Sequence, residues 1–548
     1  MNDSRPPESV TRRALLRLAA AGAFTLGLLP GGAAAATDRR VALRRIRIRS
    51  TKPFRGDRPL LATVSPGSPS RDRVKVFFRL DRPARVKVEA INTNTRRQRP
   101  VWRASARLPK GAHRFMWKPD RDTTPGSYVM RLTVEDNGDR VVYGGRRPRT
   151  MDFVRAPVVR ILGVEAAFAA RSYAPGQLAR LRVSADTHRL SIQIFRAGGE
   201  SVNTDRPDEM KGEAMAPPRR IKWNRLRNRR ANVAVRIGDW PSGLYFARLL
   251  AADGRRGYAP FVVRPGVFGA RSRELVVLPT YTWQAYNFRD ADGDGWGDTW
   301  YAGGSPPVRL DRPFLNRGVP PYYRRYDLPF VRWLHQTGRQ PDVISEEDLG
   351  RFSGEALRRT YDLICFPGHT EYVTEHEYAV IEKFRDLGGN LIFLSANNFF
   401  WKVVRRGDSI RRAALWRNLA RPEVRVLGTQ YRANDDGRRQ GHFVITGYDV
   451  ASWAFEGIGS NGGTIGHEVG GYGIEIDSTT PDSPPATHIL ATIPDLFGPG
   501  VSAHMTYYEH ASGAKVFSAG ALDFGGSIAF SPTARRLLEN VWRRLDPS

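Results

Sequence analysis

The sequence predicts a multidomain fold: two immunoglobulin-like β-sandwiches followed by an α/β domain with a mostly parallel sheet, of the glutamine amidotransferase-like or flavodoxin-like kind. Three observations predict it. The chain has 548 residues, 41% of them hydrophobic, enough for several domains of ~150 residues with buried cores. Period-two alternation, the mark of half-buried strands, fills two successive stretches. Near residue 274 that alternation gives way to continuous apolar strands separated by helices, the mark of strands covered on both faces.

Taken in order, residues 1–36 read as an export leader. Thr11-Arg12-Arg13-Ala14-Leu15-Leu16-Arg17 resembles a twin-arginine motif, a mildly apolar run follows from Leu18 to Leu29, and Ala33 to Ala36 form a small-residue cleavage site. The run is shorter than the ~20 residues that span a bilayer. The expected location is the periplasm or the exterior of a bacterium, with no transmembrane anchor. Such export carries folded proteins, which favours a bound metal or cofactor.

Residues 40–156 read as the first sandwich. Val74–Leu80 and Ala84–Ala90 alternate, and Gly111–Trp117 leads through a turn into Gly126-Ser127-Tyr128. Residues 157–268 repeat the pattern: Trp240-Pro241-Ser242-Gly243-Leu244-Tyr245 echoes the Tyr128 segment at an offset of 117 residues. Residues 274–548 form the α/β part. Glu274–Pro279, Tyr361–Gly368 and Asn390–Ser395 are apolar strands, and Tyr326–Gln336 carries Leu328, Val331 and Leu334 on one helical face. Thr374 and Glu377 make a capping box for a helix ending near Leu387, before Gly388-Gly389. An amphipathic helix over about 532–545 closes the chain.

Composition excludes several classes. The one cysteine, Cys365, rules out an intramolecular disulfide and a cysteine zinc finger. It lies mid-strand rather than at a strand-to-helix elbow, and reads as a buried inert thiol. Lys plus Arg is 86 against 55 for Asp plus Glu, a net charge of +31. No basic tail or nucleic-acid motif organises that charge, so the expected partner is an anionic cell envelope rather than nucleic acid.

In an open α/β sheet the site lies beyond the carboxyl ends of the strands. Three stretches there are dense in polar and aromatic residues: Pro279 to Asn287 (PTYTWQAYN), Gly368 to Tyr372 (GHTEY) and Ser395 to Trp401 (SANNFFW). Glu475 and Asp477, on one face of a later strand, read as a solvated face with substrate or metal contact as the alternative.

These stretches resemble the C-terminal catalytic domain of the N,N-dimethylformamidase large (beta) subunit family, over about residues 240–548. The resemblance implies hydrolysis of a small amide C–N bond by water activated on a mononuclear iron, Fe(III), held by two tyrosinates and a glutamate. Carried over, the ligands are Tyr245, Tyr286 and Glu371, with His369 and Asn397 orienting water or substrate. Hard oxygen donors suit such an ion. The resemblance leaves open an oligomer or a small second subunit.

One departure follows Asn287. Asp290, Asp292, Asp294 and Asp298, with Gly295 at the sixth position, resemble the start of a calcium loop, but Tyr301 stands where the closing glutamate belongs. Ca2+ is one reading and a solvated acidic turn the other. Two further functions stay open at this stage: a non-catalytic secreted protein that binds a glycan or partner, and a carbohydrate-active enzyme.

Overall fold

The computed structural model describes residues 43–54, 56–93, 99–144, 156–202, 208–223, 231–301 and 306–546. The leader at 1–36 lies outside them. The described residues all fall within one compact unit, a mostly β molecule with many sheets and few helices.

In the first sandwich a three-stranded antiparallel sheet, Leu43–Ser50, Val74–Leu80 and Gly111–Trp117, covers a six-stranded sheet whose centre is Gly126–Asp136 and Ala84–Asn92. Val76, Phe78, Val86, Val88, Trp117, Tyr128 and Leu132 form its core. Strand Val158–Ile161 pairs with Leu61–Val64 and Gly126–Asp136. It therefore belongs to the first sandwich, although the sequence reading assigned it to the second. Both sandwiches are built alike: Glu165–Phe168, Leu178–Ser184 and Ala231–Arg236 cover a six-stranded sheet centred on Gly243–Ala251 and Arg189–Arg196.

The offset of 117 holds at atomic detail. Tyr128 donates its hydroxyl to the Thr124 carbonyl at 2.7 Å, and Tyr245 donates to Pro241 at 2.8 Å. Each ring packs on the tryptophan of its own sandwich, Trp117 and Trp240. Tethering a strand start to the carbonyl four residues upstream fixes the corner of a sandwich.

The C-terminal part carries a nine-stranded sheet in the order Asp342–Ser345, Glu274–Leu278, Leu363–Phe366, Asn390–Phe393, Lys515–Ser518, Ala503–Glu509, His488–Ile493, Phe443–Ile445, Thr464–Ile465. The first five strands run parallel and the remainder antiparallel. The sheet is thus mixed, not mostly parallel. The cause is local: Ala503–Glu509 and Lys515–Ser518 are joined by a short turn, and parallel neighbours need a crossover of a dozen residues or more.

In the parallel half both faces are buried, which explains the continuous apolar runs. Val276, Leu278, Cys365 and Ile392 point to one side with Phe330, Trp333, Leu538 and Trp542, from helices Leu328–Thr337 and Pro532–Leu545. Leu275, Val277, Ile364 and Leu391 point to the other with Tyr378, Ile381 and Phe384 of helix Glu375–Asp386. Cys365 is a fully buried free thiol. The capping box forms as read, with Glu377 bonded back to the Thr374 amide at 2.7 Å.

Buried guanidinium contacts lock the parts together. Arg71 pairs with Asp186 between the sandwiches at 3.1 Å. Arg289 pairs with Glu165, joining the C-terminal part to the second sandwich.

Candidate functional site

The strand Glu274–Leu278 runs into a short helix, Thr280–Ala285, with Tyr286 at its C-terminal cap. Three buried acids anchor that helix. Glu346 accepts from the Tyr281 amide at 2.5 Å, Glu377 from the Tyr281 hydroxyl at 3.0 Å, and Asp327 from the Trp283 indole at 2.9 Å. Burial raises all three carboxyls, Asp327 to about 8 and Glu377 to about 7. Gly368 packs so tightly on Asp327 that a Cβ there would lie 2.3 Å from its Oδ1.

The helix aims Tyr286 at the end of the next strand. Its hydroxyl donates to Glu371 in a short hydrogen bond. Tyr372 hydrogen-bonds the same carboxylate, and the charge of Arg412 acts on it. Desolvation dominates and lifts the Glu371 carboxyl to about 7, against those three groups. Both phenols are raised well above their ordinary value, by burial first and by Glu371 next. The Glu371 backbone is pinned by Thr282 Oγ1 at 3.2 Å and by the Trp401 amide at 2.9 Å.

His369 Nε2 lies 3.7 Å from Glu371 Oε2 and 3.6 Å from Glu475 Oε2. The ring is buried and bonds the Asn397 backbone, while its Nε2 has no hydrogen-bond partner. Burial lowers its pKa to about 3, so the ring is neutral at physiological pH. Asn397 donates Nδ2 to Glu475 Oε2 at 2.8 Å, and its amide donates to Asp477 at 2.8 Å. Its Oδ1 is buried without a partner. Burial raises Asp477 to about 7.

The backbone is strained here. Asn397 (φ 57°), Phe399 (φ 54°), Tyr322 (φ 59°) and Ile474 (φ 66°) all adopt the left-handed region. For a β-branched residue such as Ile474 that is a genuine outlier, and such strain clusters at functional sites. It turns Glu475 toward His369. Tyr322 and Tyr301 complete an aromatic wall, their ring centres 6.3 and 5.1 Å from that of Tyr286.

Of the residues read from sequence, the structure brings Tyr286, Glu371, His369 and Asn397 together. It does not bring Tyr245 to them. That phenol is fully buried in the core of the second sandwich and spends its hydroxyl on Pro241. The charges that act on it are Arg196 and Glu213, not Glu371. The sequence reading missed Tyr372 and Tyr322 and discounted Glu475. Tyr372 carried a signal, since it directly follows Glu371 in one of the three polar-aromatic stretches.

The donor set suits a hard cation. Glu371, Tyr286 and a second phenol, Tyr372 or Tyr322, could supply oxygen donors that a metal would hold in their ionised form. The unpartnered His369 Nε2 and Asn397 Oδ1 leave polar capacity beside them.

The acidic loop is organised differently. Asp290, Asp292 and Asp294 each place a carboxylate oxygen within 4.8 Å of the others. Each also holds the main chain: Asp290 takes Gly293 and Gly295 amides, Asp292 that of Asp294, and Asp294 that of Trp296. Asp298 stands apart and accepts from the Ala291 amide at 2.8 Å. The first sandwich grips the loop: Ser127 donates to Asp290 at 2.6 Å, Thr93 to the Gly295 carbonyl at 2.6 Å, and Arg58 to the carbonyls of Asp292 and Gly293. The chain then returns to the site, Trp300 bonding the Ala285 carbonyl at 2.8 Å.

Residues 197–537 match the family model described as N,N-dimethylformamidase beta subunit-like, C-terminal. The N,N-dimethylformamidase beta subunit of Paracoccus aminophilus is 25% identical over 407 residues, covering 55% of this chain and 52% of that protein. The N,N-dimethylformamidase beta subunit of Alcaligenes sp is 26% identical over 265 residues, covering 37% and 34%. In the first of these matches the chain spans about half of its relative's length. A crystal structure of Salmonella alpha-2-macroglobulin reacted with methylamine aligns at 9% identity and a TM-score of 0.23, over 41% of this chain and 17% of that one, a likeness that carries no argument about fold.

Proposed function

Because the chain belongs to the N,N-dimethylformamidase beta subunit-like family, we propose that it hydrolyses the C–N bond of a small amide at the centre built on Glu371. The observation that carries this reading is the Tyr286–Glu371 pair, its carboxylate buried, faced by the unpartnered His369 Nε2. The ion to be held is Fe(III), and the residues that would hold it are Glu371, Tyr286 and either Tyr372 or Tyr322. When bound, it supplies Lewis acidity, polarising the amide carbonyl and acidifying water.

The remaining work falls to the chain. His369, kept neutral by burial, accepts a hydrogen bond from the attacking water at Nε2. Glu475 Oε2, fixed by Asn397, faces that same nitrogen and is placed to relay the proton to the leaving amine. Tyr286, Tyr301 and Tyr322 wall the site with rings, which limits the substrate to a small group and keeps bulk water out.

The protein is exported through its twin-arginine leader, and it works with a further subunit, as the name of its relatives implies for them. Among the described residues no helix is long and apolar enough to cross a membrane.

The test is metal analysis of protein purified without chelator, alongside its visible spectrum. Stoichiometric iron with a tyrosinate charge-transfer band, both lost in Glu371→Gln, is the expected result. A colourless, iron-free protein that still hydrolyses formamides would refute the centre as drawn.

A further inference from the structure

One face of the first sandwich gathers cations on three adjacent strands. The three strands of the first sandwich's smaller sheet, Leu43–Ser50, Val74–Leu80 and Gly111–Trp117, contain no acidic residue. Their inward positions, Val74, Val76, Phe78 and Leu80 among them, are buried in the core. The outward positions are set by register. Arg49 lies opposite Lys75 and Lys75 opposite Met116; Arg47 lies opposite Phe77 and Phe77 opposite Arg114; Arg44 lies opposite Arg79. Arg45 occupies a bulge in the edge strand at φ 54° and is exposed as well. Among the described residues none of these seven cations pairs with a carboxylate.

A second observation gives the surface shape. Beside the edge strand runs a groove of about 310 Å³ lined by Arg47, Arg49, Arg58, Phe77 and Asp57 among others. Asp57, the one carboxylate in that lining, is turned toward the main chain: its oxygens accept from the amides of Phe54 and Thr63 and from Ser50 Oγ.

We propose that this face of the first sandwich binds an acidic polysaccharide, its carboxylate or sulfate groups on the arginine rows and one ring edge in the groove. Neighbouring strands lie ~4.8 Å apart, so Arg49 and Lys75, and Arg44 and Arg79, start side by side while Arg47 and Arg114 flank Phe77, which suits a polymer bearing charge on successive rings. Single-stranded nucleic acid asks for open aromatic platforms. The one aromatic ring at the centre of this face, Phe77, lies under the Arg47 guanidinium at 5.2 Å. A lipid headgroup layer is planar and does not enter a groove.

The experiment measures binding of the full chain to polygalacturonate, a single-stranded oligonucleotide and phosphatidylglycerol vesicles at about 0.15 M salt. Arg47→Glu/Arg49→Glu/Arg114→Glu is compared with a control of equal net charge, Arg425→Glu/Arg438→Glu/Arg536→Glu. The face triple should weaken polygalacturonate binding by about tenfold or more and the control by less than about twofold. If the face triple does not fold, Arg49→Gln and Arg114→Gln, each at an exposed position, should each weaken binding by about threefold. Equal losses in the two triples, or tighter binding to the oligonucleotide or the vesicles than to polygalacturonate, would overturn the proposal.

Discussion

Four tyrosines, Tyr286 half-buried and the other three buried, fall into two pairs that differ in what meets the hydroxyl. Tyr128 and Tyr245 each donate to a main-chain carbonyl four residues upstream, a bond complete in itself. Tyr286 and Tyr372 instead converge on one carboxylate, Glu371, which burial has pushed up to about 7. The first pair has nothing further to bind. The second gathers three protonated oxygens in one place, and a cation that displaced those protons would offset the cost of ionising all three groups there. Burial alone therefore does not mark a functional tyrosine; a shared ionisable partner does.

The largest test of that contrast is to remove the shared partner. Glu371→Gln and Tyr286→Phe should each lower amide hydrolysis by ~10²-fold or more while leaving the melting temperature nearly unchanged, measured by ammonia or amine release and by calorimetry. Next, His369→Ala should cost ~10–100-fold in kcat but retain the bound metal, which separates the orienting group from the ligands. Tyr245→Phe should do the reverse. It strands the Pro241 carbonyl and should destabilise the fold by ~1–3 kcal/mol in denaturant titration, with metal content and kcat unaltered. A loss of iron in Tyr245→Phe would break the comparison.

The smallest effect concerns Asp327, whose burial raises its carboxyl to about 8. In the folded protein it binds a proton that the unfolded chain has released above its ordinary pKa near 3.8. Its contribution is present at acid pH and drains away as pH rises from about 4 through about 8. Asp327→Asn should therefore flatten the fall in melting temperature between pH 5 and 8.5.

Much of this was legible in the sequence. The echo of Tyr128 at Tyr245 identified the second sandwich, because a corner tyrosine leaves a fixed local pattern. The same echo argued against Tyr245 as a ligand, but the resemblance to a metalloenzyme family outweighed it. The stretches that hold Glu371, His369, Tyr286 and Asn397 stood out because polar and aromatic residues crowd the ends of apolar strands, and the family resemblance picked the residues within them. Glu475 did not, since its strand pairs in a two-stranded ribbon with Gln430–Asn434, where an acid reads as solvated. Only the left-handed turn at Ile474 sends it inward, and no period in the sequence encodes that. The mixed sheet was hidden for a similar reason: short apolar strands look the same whether their neighbours run with or against them.

The acidic loop has a consequence for how this protein could be taken apart. It leaves the site just after Tyr286, is clamped by Thr93, Ser127 and Arg58 of the first sandwich, and comes back to deliver Tyr301 against Tyr286. The family match begins only at residue 197, so the N-terminal sandwich looks dispensable on paper. Mechanically it is the mould in which one wall of the site is cast. A shortened chain would keep Glu371, Tyr286, Tyr372 and His369 and lose the template that places Tyr301 beside them, so grafting another module in its place amounts to recutting the lock.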